Sequence, residues 1–313
     1  MDLVTGGLGF IGNELVRQLR RHGPVAVLDN RSRIAPRVDD LADVPVFDVD
    51  VTDAEAVARI VERLKPRCVF HLAAIHYIPE CNANPERTIR VNVEGTLAVL
   101  NACAASRVQR VVFASSGAIY ADSAAPIAET SPVAPVDVYG WSKAFGEDLC
   151  RWIAASKGLA VVSARLFNNF GPRETNPHII PEIIRQLRAG TTLRLGNISP
   201  VRDYVHTSDT ASALIALAKM DVQGFRCVNV AAGRGASVGD VVAILAAALG
   251  RRIEIELDPT RLRDVDKQMQ VADVSLIRQR TPWKPTVSLE SGLRDLLEFE
   301  GLLVNEPECA PEA

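Results

Sequence analysis

Six short runs rich in β-branched residues recur through the first two-thirds of the chain. They are LVT (3–5), VAVLD (25–29), VFDVDV (46–51), CVFHLAA (68–74), RVVFASS (110–116) and AVVSARLF (160–167). Most are continuous rather than alternating, as strands covered on both faces should be. Amphipathic stretches separate them. NELVRQLRRHG (13–23) has Gly23 placed as a stop after a helix. In DAEAVARIVERLKP (53–66), Asp53 can cap the start and Pro66 ends the run. Strand and helix in alternation predict βαβ units and an α/β fold built on a doubly wound parallel sheet.

From about residue 168 the alternation loosens. NNFGPRETNPH (168–178) reads as loop, IIPEIIRQLRAG (179–190) as helix, and TLRLGNISPVRDYVHTSD (192–209) as short strands with turns. TASALIALAKM (210–220) is helical, FRCVNVAAG (225–233) a strand, and VGDVVAILAAALG (238–250) a helix. The expected division is a large domain over 1–167 plus about 203–230, and a smaller, partly interleaved lobe over about 168–202 and 231–302. Residues 303–313 have little to bury and are expected to fray.

The chain has 313 residues, 48% of them apolar, which suits one large α/β unit or two unequal domains. Lys and Arg total 35 against 38 Asp and Glu, a formal charge of −3, so no basic footprint points to a nucleic-acid partner. The longest apolar run, VVAILAAAL (241–249), is far short of the ~18–20 residues a membrane span needs, and no membrane partner is expected. MDLVTGG enters a motif at once, leaving no room for a signal peptide. Cys68, Cys81, Cys103, Cys150, Cys227 and Cys309 are scattered without CxxC spacing. That usage fits a reducing compartment, so a soluble, cytoplasmic protein is expected, with no metal site.

TGGLGFIG (5–12) puts Gly6, Gly9 and Gly12 between a strand and a helix, the context a dinucleotide fingerprint requires. The first glycine makes the tight turn, the second admits a pyrophosphate close to backbone, and the third lets helix and strand pack closely. The helix start then offers free N–H groups and a positive dipole end to the anion. Asp29 closes the second strand twenty residues after Gly9. A carboxylate there accepts hydrogen bonds from ribose hydroxyls and repels a 2′-phosphate, which favours NAD over NADP, although Arg31 and Arg33 stand nearby. Together these features predict a Rossmann fold with bound NAD.

VYGWSK (138–143) sets Tyr139 and Lys143 four positions apart. By spacing alone they are neighbours on a helix face, two amphipathic side chains with wet tips. The wider set of motifs changes that reading: TGGLGFIG (5–12), DVDVTD (48–53), HLAA (71–74), NVEGT (92–96), ASSGAIY (114–120), YGWSK (139–143), ARLFNNFGPR (164–173), RDYVHTSD (202–209), VNVAAG (228–233) and WKPTVSLESGL (283–293). In combination they resemble the extended short-chain dehydrogenase/reductase family, in its nucleotide-sugar epimerase/dehydratase branch, from Asp2 to about Leu293.

The resemblance implies that Ser116, Tyr139 and Lys143 form the catalytic group. Asp50 and Val51 flank an adenine ring, Ala73 and Ala74 line the cofactor groove, and Asn92 holds backbone near the active centre. Phe10, Ile11, Asn30 and Leu72 complete the cofactor-binding set. Asn168 meets the sugar or diphosphate of a nucleotide-diphosphate sugar, and Arg202 with Arg261 clamps the diphosphate. Arg202 could instead pair with Asp203 or Asp209. A homodimer through helices at about 85–105 and 137–157 is also implied.

The residue types make chemical sense. Tyrosine at its ordinary pKa of ~10 is hardly ionised at neutral pH. A lysine ammonium one turn away, with a positive nicotinamide ring, favours the phenolate, which can then take a sugar hydroxyl proton. Ser116, at the end of a parallel strand, can hydrogen-bond the same oxygen as it develops charge. Relatives that eliminate water carry an Asp-Glu pair directly after the serine; here those positions are Gly117 and Ala118. Neither can move a proton, so the resemblance favours a 4-epimerase over a dehydratase or decarboxylase. A 4-ketoreductase or dehydrogenase that releases its cofactor, and a non-catalytic dinucleotide sensor, are the alternatives. His76 in IHYIPECNANP (75–85) is expected at the substrate, as a second proton carrier, a partner for a sugar carboxylate, or a ring packed beside the cofactor.

Overall fold

The computed structural model describes residues 1–261 and 267–303. The strands are β1 (Asp2–Thr5), β2 (Val25–Asp29), β3 (Val46–Asp48), β4 (Cys68–His71), β5 (Arg110–Ser116), β6 (Val161–Leu166), β7 (Asn168–Phe170), β8 (Thr192–Leu195), β9 (Val201–His206), β10 (Phe225–Val230), β11 (Gly235–Ser237), β12 (Glu254–Leu257) and β13 (Met269–Gln270). Seven of them form one parallel sheet in the order β10-β6-β5-β4-β1-β2-β3. The chain runs outward from β1 through β2 to β3, then returns to β4 on the other side. That reversal opens a crevice beyond the carboxyl ends of β1 and β4, where such sheets bind ligands.

The helices are α1 (Phe10–Leu19), α2 (Ala54–Leu64), α3 (Ile78–Ala83), α4 (Pro85–Ile89), α5 (Gly95–Ala105), α6 (Val138–Lys157), α7 (Ile179–Leu187), α8 (Thr207–Lys219), α9 (Val238–Leu249), α10 (Ser275–Arg280) and α11 (Leu289–Phe299). One face of the sheet is covered by α1 and α8, the other by α2, α5 and α6, each over its own apolar core. Burial on both faces explains why the strand sequences do not alternate. A third core joins α7, α9 and α11 to β7, β8 and β9 in a smaller lobe. Its strands pair as β11-β9-β13 with β7 against β9, and β12 beside β8. No helix among the described residues is long and apolar enough to cross a membrane.

Several local expectations need correction. α1 ends at Leu19, so Gly23 is not its stop; residues 20–23 form a turn leading into β2. The run VFDVDV stops being strand after Asp48, because the Asp50 carboxylate accepts from Thr52 N (2.9 Å) and Thr52 Oγ1 (2.8 Å) and folds the chain into a turn. CVFHLAA likewise ends as strand at His71. Asn168–Phe170, read as loop, is a short strand on β9. Asp53 does cap α2, accepting from Ala56 N at 3.0 Å. The expected fraying at 304–313 lies outside the described residues, as does Cys309; the other five cysteines are free thiols.

α6 is capped by Asp137, which accepts from Gly140 N at 2.7 Å, and stops at Gly158 with φ +70°. Its seat on the sheet is ionic. Glu147 receives Arg165 Nε at 2.9 Å and Nη2 at 2.7 Å, plus Ser163 Oγ at 2.9 Å. The other guanidinium end donates to Tyr120 Oη (2.8 Å) and the Glu129 carbonyl (2.9 Å). Both side chains are 4% exposed, so removing one leaves an uncompensated buried charge. Glu147→Ala is expected to cost about 3–5 kcal/mol in urea unfolding. A loss under 1 kcal/mol would contradict this account of α6.

Candidate active site

A cavity of about 1070 Å³ runs along the carboxyl edge of the sheet and into the smaller lobe. The glycine turn lies at one end. Gly6, at φ +69°, sits so close to β4's exit that a Cβ there would lie 2.8 Å from Ala73 N. A Cβ on Gly12 would lie 2.1 Å from Gly6 O, so the helix can start there only without a side chain. Gly9 faces the cavity, and a Cβ on it would meet only Gly6 O, at 3.4 Å. The start of α1 has no side-chain cap and no acidic residue in its first turn, leaving its N–H groups for an anion. These residues fit a dinucleotide's pyrophosphate.

Asp29 is 7% exposed and fixes the turn: its carboxylate accepts from Leu8 N at 3.0 Å and Arg31 N at 2.8 Å. Burial raises its pKa, against those two bonds. Each oxygen still has a lone pair for a ribose hydroxyl. Phe10, Ile11, Asn30 and Val51 line the same end of the cavity; Leu72, Ala73 and Ala74 line its far wall. Asp50 does not line it. Its carboxylate takes Asn30 Nδ2 at 2.7 Å and the Thr52 bonds, so it sets the Asn30 side chain from behind.

Asn92 also stands behind the wall, 2% exposed, within a π-helical turn (Arg90–Glu94) between α4 and α5. Its Oδ1 accepts from Ile75 N (2.8 Å), and Nδ2 donates to Ile75 O (2.8 Å) and Ser142 Oγ (2.9 Å). Ser142 in turn donates to Tyr139 O at 2.8 Å, tying the first turn of α6 to the loop after β4. Thr96 Oγ1 donates to the Asn92 carbonyl at 2.6 Å, so it must accept from His71 Nε2 at 3.0 Å. Nδ1 of His71 is then the acceptor for Thr5 Oγ1 at 2.7 Å, and Thr5 Oγ1 accepts from Ala73 N at 3.2 Å. Every donor in this buried chain has one acceptor. Sequence inspection missed Ser142, Thr96 and Thr5; their only signal was a polar residue inside an apolar motif.

Ser116, Tyr139 and Lys143 converge on the middle of the cavity. Ser116 Oγ accepts from Ala118 N at 3.1 Å and stands beside the Tyr139 hydroxyl, whose pKa it lowers. Lys143, 4% exposed, donates to Ala114 O at 2.7 Å, with Nζ 5.8 Å from the Tyr139 ring centroid. Its burial pulls the ammonium down to about 8. The expectation that Lys143 lowers the Tyr139 pKa is not met by the protein alone. Removal from water pushes that phenol up, and Ser116 offsets only part of it. Gly117 and Ala118 form the floor beside them; a Cβ on Gly117 would press on the Phe167 ring at 3.3 Å. Gln270 Nε2 donates to Gly117 O at 3.3 Å, and Lys267 Nζ to Ala118 O at 3.3 Å and to Tyr120 O.

At the lobe end lie Asn168, Arg202 and Arg261. Asp203 and Asp209, the alternative partners for Arg202, are occupied by backbone N–H groups: Ala232 and Gly233 at one, Thr286 and Val287 at the other. Arg261 is turned to carboxylates, with Nη1 2.9 Å from Glu182 and Nε 3.3 Å from Asp258. As it stands, it is committed to them and not poised for a diphosphate.

His76 lines the cavity, but its Nε2 is engaged. Arg33 has only donors, and its Nη1 lies 2.7 Å from Asn176 Oδ1. Asn176 therefore turns Nδ2 to His76 Nε2, at 2.9 Å, which must be an acceptor. The other ring nitrogen then carries the neutral ring's proton, beside the Ala74 carbonyl. Loss of water pulls the ring down to about 4, so it is neutral and has no spare proton for a substrate. Of the three expected roles, the geometry matches the packed ring.

His71 is likewise held neutral by burial, at about 3. Both rings take up protons more readily in the unfolded chain, near 6.5, so folding stability falls as pH drops from about 6.5 toward 4. Urea unfolding at pH 7 and pH 4.5 should show this loss, and His76→Gln should make it smaller. An equal loss in both proteins overturns the neutral assignment.

The model of the NAD dependent epimerase/dehydratase family matches residues 3–231. The chain is 31% identical over 322 positions to the UDP-glucose 4-epimerase of Azospirillum brasilense, covering 95% of this chain and 91% of that one. It is 29% identical to the GDP-6-deoxy-D-mannose reductase of Pseudomonas aeruginosa, covering 94% and 95%. Among solved structures, the Thermus thermophilus UDP-glucose 4-epimerase in complex with NAD superposes with a TM-score of 0.86 at 33% identity, covering 97% of this chain and 99% of that one.

Proposed function

Because the chain belongs to the NAD dependent epimerase/dehydratase family, whose cofactor is NAD, we propose that it is a nucleotide-sugar epimerase that inverts C4 of its sugar. One observation carries this reading. Ser116, Tyr139 and Lys143 line one cavity together, and the floor beside them is Gly117 and Ala118, which cannot move a proton. The groups needed for reversible oxidation are present, while the acid–base pair for eliminating water is absent from that place.

Tyr139 takes the proton of the sugar hydroxyl and later returns it, and Ser116 holds the same oxygen. Lys143, fixed by Ala114 O, keeps a positive charge one turn below the phenol at neutral pH. When bound, NAD would supply the hydride acceptor and donor and, in its oxidised form, a positive charge that would favour the phenolate. Asp29, the glycine turn and the open start of α1 would hold it. Asn168 and Arg202 are the proposed contacts to the nucleotide-diphosphate sugar. Arg261 could join them only by leaving Glu182 and Asp258.

Tyr139→Phe should lower turnover by at least about 10²–10⁴-fold while NAD stays bound, read by NMR of epimer formation across UDP-, GDP-, CDP- and dTDP-sugars, uronic acids included. An undiminished rate sinks the mechanism. The similarity to a reductase makes a cofactor-releasing ketoreductase the second reading. Strict dependence on added NADPH would favour it.

A homodimer and a cytoplasmic location complete the proposal. The outer face of α6 exposes Trp141 (49%), Phe145 (45%) and Trp152 (54%), more aromatic surface than a free helix usually shows. The free buried thiols support a reducing compartment. Sedimentation velocity should give a dimer mass that Phe145→Glu with Trp152→Glu reduces to a monomer; a wild-type monomer contradicts the interface.

A further inference from the structure

Arg33 follows β2 and Glu80 follows β4, the two strands that flank β1 on either side. Their side chains meet as an ion pair between Arg33 Nη2 and Glu80 Oε2. The other guanidinium nitrogen donates to Asn176 Oδ1 at 2.7 Å. Asn176 belongs to the loop after β7, is 3% exposed, and passes the connection on to His76. One planar fork thus ties two loops and α3 together across the end of β1, where the glycine turn begins. Ala35 N donates to Leu8 O at 2.7 Å, so the loop bearing Arg33 is itself anchored to that turn. Arg33, Glu80 and Asn176 line the same cavity as Gly9 and Tyr139.

We propose that Arg33, Glu80 and Asn176 form a clasp that keeps the dinucleotide in its groove through successive turnovers. This rests on the epimerase reading, since an epimerase returns the hydride it takes and has no need to exchange its cofactor. The ion pair alone is half exposed and worth little. The bond to buried Asn176 carries the larger share, because its loss strands an amide oxygen away from water. A lysine at 33 could not serve both partners, since only the guanidinium presents a fixed fork. The same engagement keeps Arg33 from serving a 2′-phosphate.

The test compares the wild type with Arg33→Ala, Asn176→Ala, Arg33→Glu, and Arg33→Glu combined with Glu80→Arg. The readouts are NAD per chain after desalting and the rate of NADH release into excess NAD, followed by fluorescence, with circular dichroism to verify folding. Arg33→Ala and Asn176→Ala should release the cofactor about tenfold faster. The reversed pair should retain more NAD than Arg33→Glu alone, a recovery that a merely structural role would not produce. Equal retention in the wild type and both alanine variants overturns the clasp. So does a wild type that epimerises yet loses NAD on desalting. Variants that shed NAD from a wild type that retains it, but shows no epimerisation, would leave the clasp standing and remove the functional reading.

Discussion

The buried pair of Glu147 and Arg165 determines where α6 can lie, and most of the cavity's chemistry is mounted on α6. Two charges at 4% exposure are tolerable only in one geometry, with Ser163, Tyr120 and the Glu129 carbonyl completing their bonds. Turning α6 by one residue would swing Glu147 about 100° and strand both charges. Gly146 lets the helix come close enough for this contact; a Cβ there would lie 2.6 Å from the Phe113 ring. One turn earlier, Lys143 reaches Ala114 O, and one turn before that Tyr139 meets Ser116.

The facing wall is held differently, by a neutral chain. It runs from Ala73 N through Thr5, His71 and Thr96 to the Asn92 carbonyl, and from the Asn92 amide to Ile75 and Ser142. Because each hydroxyl both donates and accepts, the direction of every bond follows from its neighbours. The result joins the glycine turn, the loop after β4 and α6 without placing a further charge in the interior. Burial favours the uncharged form on both walls. It keeps His71 neutral and inert, and it leaves Tyr139 and Lys143 with displaced affinities for protons.

Much of this was legible in the chain. Continuous apolar strands, TGGLGFIG and Asp29 specify a parallel sheet with a phosphate turn, because those features are local and leave few alternatives. The spacing of Tyr139 and Lys143 set them on one helix face, and only the wider set of motifs gave the pair a chemical role. What the chain misplaced or left open has physical causes. VFDVDV looks like strand to its end, but the Asp50 side chain competes with the ladder for the backbone. The sequence left three roles open for His76, and the choice among them depends on Asn176, one hundred residues away. Arg261 reads as a phosphate clamp until Glu182 and Asp258 fold against it.

The sequence by itself determined the order of elements, the glycine turn, the acid that follows it, and the absence of carboxylates at Gly117 and Ala118. Each depends on residue type within a few positions. Only the tertiary structure decided which polar groups are spent and which remain open to a ligand. Asp50, His76, Arg33 and Arg261 all carry chemistry in the one-dimensional reading, but each is satisfied by a partner from another element. Hydrogen-bond saturation is a property of long-range contacts, and no local pattern encodes it.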